Sequence, residues 1–224
     1  MVSSGTVILG IAVAVVGTWM WRARARYRQL SRHVATLAHR LDATLDPPDR
    51  RGVEFRFGQS VLLTMGHDWR LSEMLHARRG EHPFWFFRVN LDMARGLVRQ
   101  HRAYWAVWIE WSERDSHFLL WHDSDVAQAP LVVRESRTRC GSWWLRGDSV
   151  LAESIVTWLE TMDNPPHCEF LAGAIWLYWP ADGVPSEQLE KTFGALGEQV
   201  DSLVSHLSEE PAWGSEKKEM GSVL

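Results

Sequence analysis

The stretch Tyr104-Trp105-Ala106-Val107-Trp108-Ile109-Glu110-Trp111 decides how the rest of this 224-residue chain is read. Eight residues of aromatic and β-branched character, ended by the polar run Ser112-Glu113-Arg114-Asp115, have the length and composition of a strand. One face would carry Trp105, Val107, Ile109 and Trp111, and Glu110 would point to water. Phe118–Trp121 follows at hairpin distance, so the two runs are expected to pair.

Working outward, Phe84–Val89 is a second dense aromatic run and reads as a strand. Val53–Phe57 alternates as V-E-F-R-F and reads as a half-buried strand, with Ser60–Met65 another. Trp69–Ala77 reads as a short helix capped by Asp68. Asn90–Arg102 is ambiguous: Leu91, Ala94, Leu97 and Val98 suit one helix face, and Gly96 weakens it. Leu131–Arg134 and Ser142–Leu145 are further strand candidates. Cys168–Trp179 reads as one long apolar strand, with Gly173 marking a bulge or a close backbone approach.

Two helices are clear. Asp148 caps one whose apolar stripe is Leu151, Ile155, Trp158 and Leu159. Pro185-Ser186-Glu187 opens another, running to about Leu207 with Leu189, Phe193, Leu196, Val200, Leu203 and Leu207 on one side. The expected class is α+β: one domain over residues 50–207, with a mainly antiparallel sheet and helices on one face. Residues 208–224 read as a disordered polar tail, in which Trp213 is either a docking point or an accident.

The N-terminus has a different character. Residues 7–21, or 2–21 with the uncharged residues ahead of them, have the length and apolarity of a transmembrane helix. Residues 1–6 would then be a short extracytoplasmic end. Trp19, Trp21 and Tyr27 sit where aromatic rings favour the headgroup zone. Arg22, Arg24, Arg26, Arg28 and Arg32 follow, and no cationic side chain precedes the apolar run. The positive-inside rule puts the C-terminal domain in the cytoplasm, single-pass at the inner membrane, with the N-terminus out. A cleaved signal peptide fits poorly, because it needs positive charge before the apolar core. Gly10, Ala14 and Thr18 fall on one helix face, which suits helix pairing and a homodimer.

Residues 22–46 read as a basic juxtamembrane helical stalk attracted to anionic lipid. Its stripe Leu30, Val34, Leu37, Leu41 and Leu45 either pairs with a second copy or packs on the domain. The Pro47-Pro48 pair ends the helix.

A net charge of −4 and a pI near 6.2 argue against nucleic acid as a partner. Two cysteines, Cys140 and Cys168, are no disulfide framework. Fourteen Trp against three Tyr exceed what one small core usually holds. Phosphate-binding glycine loops, a serine nucleophile elbow, H-E-x-x-H and C-x-x-C are all missing, so no cofactor is expected. A weak polar cluster, His122, Asp123 and Asp125, has metal-ligand types but also ordinary turn chemistry. Cys140 with His117 or His122 would need a proximity that sequence cannot show. The expected function is a membrane-anchored protein-interaction or scaffold module on the cytoplasmic face, which includes a subunit of an envelope-associated complex. The alternative is a membrane-tethered small-ligand sensor, and an enzyme ranks below both.

Overall fold

A computed structural model of the chain describes residues 4–210 and 213, apart from 48, 96–97, 112–115, 136–137 and 185. The chain begins with α1 (Ser4–Leu41), a single helix about 57 Å long at 1.5 Å per residue. Next come β1 (Thr44–Asp46), α2 (Arg50–Phe57), α3 (Val61–Thr64), β2 (Asp68–Arg79), β3 (His82–Arg95) and β4 (Val98–Glu110). Then follow β5 (Phe118–His122), α4 (Leu131–Arg134), β6 (Thr138–Cys140), β7 (Trp143–Gly147), α5 (Ser149–Leu159), β8 (His167–Leu171) and β9 (Ala174–Pro180). The described chain closes with α6 (Leu189–Phe193) and α7 (Leu196–Glu209). The nine strands of the described residues join one sheet in the order β1-β2-β3-β4-β9-β8-β5-β7-β6, every pair antiparallel. The protein is α+β.

Helices cover both faces of the sheet, not one. Residues 104–109 of β4 are all buried, as are 174–179 of β9, so both parities of each strand face apolar layers. On one face, Trp105, Val107, Ile109, Leu177 and Trp179 pack against the second half of α1 and against α5, α6 and α7. On the other, Phe87, Trp108, Trp176 and Tyr178 pack under α2 and α3 through Val53, Phe57 and Leu62. Unbroken apolarity such as Y-W-A-V-W-I is the mark of a strand covered twice. This double cover absorbs the tryptophan excess: outside α1 no tryptophan is exposed.

Several local expectations are corrected. Val53–Phe57 is helical: Asp49 caps α2 by accepting from the Gly52 N–H at 3.0 Å, and Val53 and Phe57, four apart, are the buried pair. Ser60–Met65 holds the short helix α3 instead of a strand. Trp69–Ala77 lies in a strand, not a helix. A bulge between Ser72 and Leu75, with Glu73 at φ 51°, shifts the side-chain parity, so alternating burial mimics helical spacing. The Asn90–Arg102 region belongs to the β3–β4 hairpin, with Gly96 and Leu97 outside the described residues.

The expected pairing of Tyr104–Trp111 with Phe118–Trp121 does not form. β4 pairs with β3 and β9, and β5 with β7 and β8. Leu131–Arg134 is a single helical turn after Pro130. Cys168–Trp179 is two strands: Ala172 at φ 51° and Gly173 at φ 74° make a two-residue hairpin turn, so Gly173 is a turn residue and not a bulge. The C-terminal helix is broken near Gly194 into α6 and α7, and its six-residue stripe is buried throughout. Trp213 is buried against Phe118 and Phe170 and donates to the Ser154 hydroxyl.

α1 ends at Leu41, short of the prolines, and Leu45 lies on β1. Leu30, Val34, Leu37, Ala38 and Leu41 are built into the domain core, and Arg79 donates to the Leu41 carbonyl at 3.1 Å.

Candidate functional site

The strand registers place Thr44, His76, Trp85, Trp108, Trp176 and Glu169 in one line across six neighbouring strands, β1, β2, β3, β4, β9 and β8. Cross-strand partners share a face, so their side chains stack side by side. His76 lies flat on Trp85, with ring centroids 4.7 Å apart and planes 12° apart. Trp85 meets Trp108 at 4.7 Å, and Trp108 meets Trp176 at 5.6 Å. The inner part of this aromatic row is sealed by Phe57 of α2, 4.8 Å from Trp108 and 5.0 Å from Trp176. The Nε1–H groups of Trp108 and Trp176 have no hydrogen-bond partner among the described residues.

The outer part of the row is open. A cleft of about 420 Å³ lies between α2 and the sheet, floored by Met74, Trp85 and Trp108 and rimmed by Asp46, Asp49 and Arg56. Arg56 is ion-paired with Glu110 and sits 5.1 Å over the Phe57 ring. Glu110 therefore holds a partner instead of pointing free into water. Asp46 approaches His76 at 3.7 Å. Beyond Arg56 the surface continues into a second hollow of about 380 Å³ that includes His82 and Trp111, whose rings stack at 4.5 Å. Phe55, on the outer side of α2, is 95% exposed.

The row ends inward at Glu169, which is fully buried. Its carboxylate accepts from the Ser60 hydroxyl at 2.7 Å and from the Val61 N–H at 3.1 Å, and His117 Nε2 lies 2.9 Å away. Serine, glutamate and histidine meet here, yet the carboxylate lies between the other two. The histidine does not touch the hydroxyl, and Ser60 is fully buried, so the three do not form a serine–histidine nucleophile pair open to a substrate. The group ties the start of α3 to the sheet. Glu169 was hidden in sequence by the apolar run around it.

His122, Asp123 and Asp125 do not converge. His122 Nδ1 bonds the Ser124 hydroxyl at 2.7 Å and accepts from the Ser124 N–H, which is local turn chemistry. Asp123 forms a two-pronged pair with Arg139 at 2.8 and 2.9 Å. Asp125 faces His167 at 3.4 Å. His167, a residue no sequence pattern singled out, is buried, stacked on Trp121 at 3.9 Å, and accepts from the His122 N–H at 3.1 Å. Burial pushes the His167 imidazole below its ordinary value against the pull of Asp125. Among the described residues no group of three or more His, Cys, Asp or Glu is placed to hold a metal. Burial, with Glu153 and Glu160 nearby, pushes the Cys140 thiol up, which opposes a nucleophilic role.

On α1, Arg22, Arg24, Arg26, Arg28 and Arg32 are all exposed, as are Trp19 at 71% and Trp21 at 70%. Thr18 is exposed too, and its hydroxyl bonds the Val15 carbonyl of its own helix at 3.1 Å. The side chains of residues 4–14, Gly10 and Ala14 included, and of Tyr27 lie outside those described. Among the described residues no helix is long and apolar enough to cross a membrane. No family model, no curated protein and no solved structure matches the chain.

Proposed function

We propose that the protein is a membrane-anchored interaction module that recruits a protein partner at the cytoplasmic face of the inner membrane. In this reading residues 7–21 cross the bilayer, with the N-terminus out and the five arginines on the cytoplasmic side. One observation carries it: α1 is a single helix with two unlike halves. Val15, Val16, Trp19, Met20 and Trp21 are exposed apolar surface, whereas Leu30, Val34, Leu37 and Leu41 are core. Exposed apolar side chains at that density, next to a ring of arginines, suit lipid better than water.

A helix shared between anchor and core would also hold the domain at a fixed distance and orientation. Trp21 to Leu41 is twenty residues, about 30 Å of helix. The aromatic cleft lies toward the Leu41 end, because β1 follows α1 within a few residues and brings Asp46 to its rim. The cleft would thus face away from the bilayer, open to a partner.

The test is topology and extraction. A C-terminal fluorescent-protein fusion is expected to glow and an alkaline phosphatase fusion to stay inactive, with the chain resistant to alkaline carbonate. Release by carbonate, or an active phosphatase, would overturn the reading. Proximity cross-linking from a photoreactive residue at position 55 should then trap a discrete partner, and the absence of any product would overturn the recruitment reading.

A further inference from the structure

We infer that the cleft between α2 and the outer end of the aromatic row takes an arginine side chain from an extended segment of the partner. The inference rests on reading the domain as a recruitment module, and it adds what that module recognises.

Charge decides the class of occupant. The ionisable groups on the cleft wall are Asp46, Asp49 and Arg56. Arg56 is already neutralised by Glu110, so the cavity presents two carboxylates beside two indoles. Asp49 is held on the rim by its capping bond to Gly52, and Asp46 is fixed on β1 opposite Met74. An anionic or purely apolar ligand would leave these carboxylates desolvated without compensation. A cation over an indole face with a carboxylate alongside gains from both.

Shape favours guanidinium over ammonium. Trp85 and Trp108 are neighbours in one cross-strand row with their planes 53° apart, and a single indole face suits a planar group. Guanidinium stacks on aromatic rings and forks onto a carboxylate, whereas ammonium is a strongly hydrated point charge. The protein shows the principle elsewhere: Arg50 lies 4.8 Å over Trp69 and Arg139 lies 4.2 Å over Trp144, each also paired with an aspartate. Those two sites are complete; at Trp85 it is His76 that stacks on the ring, with Asp46 beside it, whereas among the described residues no cation lies over the Trp108 ring, which shares the cleft with Asp49.

Space and access favour a peptide over a free small molecule. About 420 Å³ exceeds one arginine side chain and leaves room for backbone. The cleft opens beside β1, the outermost strand of the sheet, and α2 carries the exposed Phe55. An extended segment running along this edge would present alternate side chains to the cleft.

The test uses the full chain in detergent micelles, with nitrogen-15-labelled tryptophan. Indole N–H signals are assigned through Trp85→Phe and Trp108→Phe. The probes are a capped Gly-Gly-Arg-Gly-Gly peptide, its citrulline counterpart and tetramethylammonium chloride. The arginine peptide should shift the Trp85 signal saturably at millimolar concentration. The double variant Asp46→Asn with Asp49→Asn, in which Asn still caps α2, should bind about tenfold more weakly. Equal binding of the citrulline peptide would overturn the assignment, as would tighter binding of tetramethylammonium or no shift at all. A chain that stays anchored and still cross-links its partner through position 55, yet ignores the arginine peptide, would lose only this inference.

Discussion

Removing the first 46 residues should unfold the domain, whereas removing the first 27 should leave it folded. The longer deletion takes Leu30, Val34, Leu37, Ala38 and Leu41 out of the core. Fully burying a Leu or Val side chain is worth about 1.5–3 kcal/mol, so the four larger ones together contribute roughly 6–12 kcal/mol. Domains of this kind have a total stability of about 5–15 kcal/mol. The deletion therefore removes most or all of the margin. Ion pairs of His33 and Arg40 with Glu190 are lost too, but they are partly exposed and add little. A variant beginning at Arg28 keeps every one of these contacts and sheds the exposed Trp19 and Trp21. Circular dichroism and urea titration of both variants, read by tryptophan emission, are the assay. The short deletion should show a cooperative transition and blue-shifted emission; the long one should show neither. If the long deletion unfolds with the same urea midpoint as the short one, α1 is a dispensable stalk and the core assignment fails.

Three further outcomes follow from buried contacts. Trp213→Ala should destabilise the domain by about 3–5 kcal/mol, because the ring is buried against Phe118 and Phe170; a thermal midpoint unchanged within a degree or so would show that residue 213 does not dock. Glu169→Leu leaves the Ser60 hydroxyl and the Val61 N–H without their acceptor, at about 1–3 kcal/mol each, so its urea midpoint should fall well below that of Glu169→Gln; equal midpoints would refute the role given to the carboxylate. Stability should also depend on pH at both ends. His167 is kept neutral by burial, so the unfolded chain takes the proton first. Stability is then full above the ordinary value of 6.5 and falls as pH drops below it. His122, lowered mainly by burial, acts in the same direction. Cys168 and Tyr178 are pushed up by burial and Tyr104 is raised to about 12, so stability should fall again as pH rises past about 9. Thermal midpoints across pH, with His167→Gln flattening the acid limb, test this.

The local signals succeeded where a cap or a long apolar stripe fitted one period only. Asp148 caps α5 through the Val150 and Leu151 N–H groups, and the stripe from Leu189 to Leu207 is buried despite the break at Gly194. They failed where a short segment satisfied two periods. V-E-F-R-F carries Val53 and Phe57 four apart as well as alternating, and only the cap at Asp49 and the exposed Phe55 separate helix from strand. In β2, one extra residue at the Glu73 bulge was enough to disguise a twelve-residue strand. Of the candidate polar residues, His122 and Asp123 serve their own turn and an arginine pair, while Glu169 and His167 sit inside apolar strands where nothing marks them.

The sequence by itself determined the class, the helix capped by Asp148, the C-terminal helical stripe, the apolar N-terminus with its following arginines, and the want of any known catalytic pattern. Each of these is a property of neighbours along the chain, within reach of one helical turn or one strand. Strand order, the second helical layer, the line from Thr44 to Glu169 and the open cleft at its end were decided only in the tertiary structure. They depend on register between segments up to 125 residues apart, as in the line joining Thr44 on β1 to Glu169 on β8. Register is set by which faces can be buried together, and that is a property of the assembled sheet.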